Sequence, residues 1–207
     1  MKMPVFLVFL IVFCGLNSYA QNIIHVSEEP YHKPVFKNEY FTVIELKMAK
    51  GDTSLFHLHQ EPILYLTLTG AKMWLNTPEG EPRVVELPDG WMGSDMYDDD
   101  NSFVHQISVL DGGPLHLIAV LQNKENELKS TTKSDAFIYQ DDGFAVDVDS
   151  VIPTSASLEK INIVAQGEAL KENNSISPGD FFFRDDSIQK PSNDFKYYKV
   201  FFENVID

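Results

Sequence analysis

The sequence predicts an all-β protein, a sandwich or barrel, on three observations. No stretch from residue 21 onward keeps a helical period over three turns. Short apolar or alternating runs recur along the chain instead. Between them stand residues that tolerate or impose turn dihedrals: Gly70, Asn76 to Gly80, Pro88-Asp89-Gly90, and Asp111-Gly112-Gly113-Pro114. At 207 residues, 43% hydrophobic and 23% charged, the chain has globular composition and room for one large domain or two small ones.

The elements follow in order. Lys2, an apolar run from Pro4 to Cys14, and small residues at Ser18 and Ala20 make residues 1–20 a secretory signal peptide, with cleavage near Ala20. The run of about 11 residues is too short for a membrane span, which needs ~20. The expected location is secreted or periplasmic. Cys14 is the only cysteine and leaves with this segment, so no thiol chemistry or disulfide remains.

Residues 21–122 form the first β unit, with strands expected at Phe41–Met48, Ser54–His59, Ile63–Thr69, Lys72–Leu75, Arg83–Leu87, Phe103–Leu110 and Leu115–Leu121. Polar residues 123–134 read as a linker. Residues 135–207 are again β-rich, with strands expected at Ala136–Tyr139, Phe144–Val148, Glu159–Ala165, Glu168–Lys171, Phe181–Arg184 and Tyr197–Asn204. The two halves share a loose order of strand, glycine, strand, turn, proline, strand, a hint of duplication. All six histidines lie in the first half.

Two of these histidines form His57-Leu58-His59. On a strand, residues two apart face the same way at roughly 6.5–7 Å, so both imidazoles can converge on one ion at ~2.1 Å. His25, His32 and His116 have no partner at ligand spacing and read as surface or boundary residues. The Asp95, Asp98, Asp99, Asp100 cluster lacks the glycine and glutamate of an EF-hand loop and reads as a solvated acidic loop.

In this setting the sequence resembles the cupin superfamily, whose first motif is G-x5-H-x-H-x3-4-E-x6-G. Gly51, His57, His59 and Gly70 match it, while Ile63 or Leu64 stands at the glutamate position. Glu61 lies nearby and would have to reach back from a turn. The second motif, G-x5-P-x-G-x2-H-x3-N, is represented by Pro88-Asp89-Gly90, with Gly93 at the histidine position and His105 twelve residues later. The intervening Trp91 to Val104 is expected to form a loop over the barrel mouth.

The resemblance covers residues 40–122 and implies a jelly-roll β-barrel holding one divalent transition metal, Zn, Fe, Mn, Ni or Cu, on His57, His59 and His105. Glu61 is a candidate fourth ligand. The C-terminal half would then be a degenerate second cupin. Tyr65 would face inward, either as a proton donor or as a packed core residue. The function implied is a metal-dependent enzyme acting on a small polar molecule, or a cupin that binds a ligand or partner without catalysis. By analogy a homodimer is expected. The formal charge of −15 excludes a nucleic-acid phosphate binder.

Overall fold

The computed structural model describes residues 23–123, 128–129, 138–140, 143–148, 158–171, 173–182, 188–189 and 191–204. The expected signal segment and most of the 123–134 segment lie outside these residues. In chain order the first half holds β1 (Ile24–His25), a single 3-10 turn (Val26–Glu28), β2 (His32–Lys37), β3 (Phe41–Met48), β4 (His57–His59), β5 (Pro62–Asn76), β6 (Arg83–Leu87), β7 (Met92–Met96) and β8 (Phe103–Gln122). These strands form one eight-stranded sheet. One edge of β8 pairs first with β4 and then with β3, while its other edge runs along β5. The sheet thereby curls into an all-β jelly roll of the cupin type.

Burial alternates along these strands with the period of two that a pleated sheet imposes. Ile44, Leu46, Ile63, Leu115, Leu117 and Ala119 point into one buried apolar cluster inside the curl. Their neighbours Val43, Leu64, Leu66, Ile118 and Val120 point to the opposite face and join a second cluster. Each such side chain contributes about 1.5–3 kcal/mol when fully buried.

The second cluster is completed from the C-terminal half by Phe144, Val146, Ile161, Ile163 and Val200, so the two halves pack face to face. This half holds β9 (Leu128–Lys129), β10 (Tyr139–Gln140), β11 (Ala145–Val148), β12 (Leu158–Gln166), β13 (Ala169–Lys171), β14 (Asn174–Ile176), β15 (Phe181–Phe182), β16 (Ile188–Gln189) and β17 (Lys196–Asn204). They make a six-stranded sheet running β10-β11-β17-β12-β15, with β9 on β17, and a three-stranded sheet β14-β13-β16.

The structure departs from the sequence reading at several places, of which these bear on the site. Gly70 and the run 111–114 do not end strands: β5 and β8 pass through them, paired Ala71 to Gly112, with register shifts on either side of Thr69. Gly70 allows a close approach of two backbones, because a Cβ there would collide with the Leu87 carbonyl oxygen. The expected loop over the mouth is in part a strand, β7, which pairs Pro62 to Met96 and Leu66 to Met92. The expected linker contributes β9, paired to β17.

Candidate metal centre

Strand register builds the site. The antiparallel pairing of β4 with β8 sets His57 directly opposite His105, with His59 opposite Phe103. His59 therefore shares the face of His57, two residues on. Ring centroids stand 4.5 Å apart for His57 and His105, 4.8 Å for His59 and His105, and 5.0 Å for His57 and His59. One ligand nitrogen from each ring lies within 4.8 Å of the other two, and these three form a group able to hold a metal ion.

The electronic state of the rings suits that use. His57 Nδ1 donates to the Leu55 carbonyl oxygen at 2.9 Å, which leaves the lone pair on Nε2. His57 Nε2, both ring nitrogens of His59 and Nδ1 of His105 are buried without a hydrogen-bond partner. Burial, joined by the field of His32, pulls the His57 pKa from 6.5 to about 4. Burial likewise holds His59 and His105 well below the ordinary range, with neighbouring imidazoles adding to the effect. Such orphaned polar atoms carry a desolvation cost of about 1–3 kcal/mol each, which a bound cation would offset. Three neutral imidazoles with free lone pairs are the donor set that Zn, Fe, Cu or Ni accepts.

Other expected residues fall differently. Glu61 does not join the group: its carboxylate Oε2 binds His25 Nε2 at 2.8 Å. The glutamate position of the motif is held by Ile63, fully buried in the apolar cluster. Tyr65 packs against that cluster and faces His59 with ring centroids 6.3 Å apart. Burial and the nearby Tyr97 and Asp95 push its hydroxyl pKa well up, so it keeps its proton. Gly93 leaves room for an indole, since a Cβ there would collide with the Trp91 ring. In the acidic loop, Asp98 accepts from the Asp100 and Asn101 amides and remains exposed, a solvated turn.

His32, expected at the surface or boundary, is instead in the interior because Glu29, which the sequence did not single out, is buried beside it as its partner. His32 is buried, with its ring centroid 4.4 Å from that of His57. The Glu29 carboxylate, also buried, accepts from His32 Nδ1 at 2.7 Å and from the Tyr31, His32 and Leu55 amides. Burial alone would raise the Glu29 pKa, but the hydrogen bonds from His32 and the amides outweigh it and bring it to about 2. The local signal that could have found the pair is the Glu-x-x-His spacing of Glu29 and His32. His116 is a boundary residue as expected, bound to Glu45 Oε1 at 3.0 Å.

A cavity of about 340 Å³ is lined by His59 and His105 of the group and by His32. His59, His105 and Tyr65 face it, but most of its wall is aliphatic. That wall differs from one suited to the small polar molecule expected from the sequence. No helix among the described residues is long and apolar enough to cross a membrane.

No family model and no curated protein matches the chain. Solved structures do. A cupin domain from Bordetella pertussis Tohama I matches at 17% identity over 44% of this chain and 91% of that one, with a TM-score of 0.38. A Cupin 2 conserved barrel domain protein from Leptotrichia buccalis matches at 9% identity over 83% and 87%, with a TM-score of 0.41. Bacillus subtilis oxalate decarboxylase, a protein with Mn(II) centres, matches at 9% identity over 82% and 71%, with a TM-score of 0.44. These likenesses are distant. The curled sheet and its register carry the conclusion that the chain has the cupin-type jelly-roll fold.

Proposed function

We propose an exported, metal-binding cupin in which His57, His59 and His105 hold one divalent transition ion, Zn, Fe, Mn, Ni or Cu, beside a cavity that receives a small molecule. The observation that carries this reading is the convergence of three neutral, buried imidazoles whose free nitrogens have no partner within the protein. A bound ion would supply Lewis acidity toward an oxygen of the small molecule or of water. The chain's own residues do the rest. Leu55 fixes the His57 tautomer through its carbonyl. Tyr65 is protonated, lines the cavity and donates its hydroxyl to Tyr97, from which it would turn to a bound oxygen. Glu29 orients His32 against the ring of His57.

The test is elemental analysis of protein purified without a histidine tag or chelator, beside a His57→Ala variant. About one equivalent of a transition metal, lost in the variant, is expected for a three-ligand site. Absence of metal from both would overturn the reading. A second reading, ligand binding without turnover, is favoured by Ile63, which leaves no carboxylate at the motif's glutamate position to serve as a base. Retention of an unaltered small molecule by metal-loaded protein would distinguish it.

A further inference from the structure

The cavity lined by His59 and His105 defines its ligand more narrowly than the centre itself does. Its deep wall comes from Met73, Ile107, Leu115 and Leu117, each at most 5% exposed and all members of one apolar cluster. Their backbone groups lie in strands paired within the sheet, so a polyhydroxylated body placed there finds few partners for its hydroxyls.

Polar groups are confined to two zones. The first is made of His32, His59 and His105 with Tyr65 and Tyr97. The second is the mouth, where the exposed Arg83, Trp91 and Asp95 line the same cavity. Asp95 is engaged by the Tyr97 hydroxyl. Arg83 enters no ion pair among the described residues, and its charge is felt at His105. With Ile63 in place of a glutamate, the three ligands are neutral and none of them would offset the charge of a bound ion.

From this arrangement we propose that the ligand is a small monoanionic acid with an apolar body, a carboxylate or phenolate whose ring or short chain fills the aliphatic wall. The anionic oxygen lies toward the imidazoles, in the field of the Arg83 guanidinium, and the apolar body packs on Met73 and Leu117. This deepens the metal-centre reading and rests on it for the site of the anion. A cavity of this volume suits a body of single-ring size.

The experiment is calorimetric titration of metal-loaded protein with three probes: benzoate, benzyl alcohol and gluconate. Benzoate is expected to bind at least tenfold more tightly than either of the others. Benzyl alcohol lacks the anion, and gluconate has the anion on a polar body. Arg83→Gln, an exposed position, should weaken benzoate severalfold and leave benzyl alcohol unchanged. Met73→Trp should abolish benzoate binding by filling the cavity. Val85→Phe, nearer the surface, makes the same test with less risk to folding.

Gluconate binding as tightly as benzoate would overturn the proposal. So would the absence of saturable benzoate binding at millimolar concentration. Metal content measured on the same samples separates the two readings. Protein without metal that still prefers benzoate, through an Arg83-dependent contact, overturns the metal centre and supports this ligand class. Protein with metal that prefers gluconate supports the centre and overturns the ligand class.

Discussion

The two halves of the chain are built from the same kind of strand, yet nearly all the polar atoms left over inside belong to one of them. Of the seven buried side-chain atoms without a hydrogen-bond partner among the described residues, six belong to the first half, four of them ring nitrogens of His57, His59 and His105. The described C-terminal half has one, on Asn162. Its own core, with Phe144, Ile161 and Phe182 fully buried, contains no histidine. The first half surrounds a cavity, and the second packs its apolar side chains against the outer face of the first. The contrast separates two uses of a β-sheet core: one tolerates unsatisfied groups to keep a site open, and the other supplies adhesion.

The largest expected effect is the loss of metal when that site is closed. His59→Leu should lower metal affinity at least a hundredfold, read by competition with a chromogenic chelator. The same substitution should stabilise the metal-free protein by about 1 kcal/mol in urea unfolding, because two orphaned buried nitrogens disappear. A destabilised metal-free variant would mean that the ring is structural, and the contrast between the halves would fail.

Next comes truncation on either side of the shared sheet. Phe144→Ala, in the closely packed interface, is expected to cost about 3–5 kcal/mol. Leu117→Ala, on the cavity wall, should cost about 2 kcal/mol, at the low end for its type, because part of its surroundings is already empty. Equal losses would argue that the cavity is closed in solution.

The pH dependence of the metal-free protein sharpens the comparison further. His57 titrates at about 4 folded against 6.5 unfolded, so between these values the unfolded chain binds more protons. Stability should therefore be full above pH 6.5 and fall as pH drops toward 4. His57→Gln should flatten that decline in unfolding curves measured across this range. The smallest effect is expected at Glu61, whose carboxylate is held by His25. Glu61→Gln should change metal affinity less than twofold, whereas a large loss would return Glu61 to the ligand set.

Much of the first half was legible because its signals are local. Phe41–Met48 and Arg83–Leu87 are strands with the expected ends, and His57-Leu58-His59 lies on β4 as its alternation requires. Local chemistry also misled. Gly70 and the Asp111 to Pro114 run are legitimate turn residues, but long-range pairing between β5 and β8 converts them into bends. Strand β2 was missed because Pro34 interrupts it, at the edge of the sheet and beside a register shift where proline is tolerated. Strand β7 was missed because Met92-Gly93-Ser94-Asp95-Met96 has no β-branched residue. The contact of His32 with His57 spans 25 positions, and no periodicity reports it. The cavity's aliphatic character was written in the same residues that defined the strands, but sequence alone could not distinguish a wall from a filled core.

The alternation along β5 gives this architecture an asymmetric tolerance to change. Ile63 faces the cavity side and Leu64 the partner half, so each strand serves two compartments through adjacent residues. Single substitutions on one face leave the other chemically untouched, and the binding chamber can diversify while the contact with the C-terminal half stays constant. A one-residue insertion early in β5 has the opposite consequence: it exchanges the two faces downstream of it. Lineages of this protein should accordingly vary freely in the identity of the wall residues and hardly at all in the length of the strand that carries them.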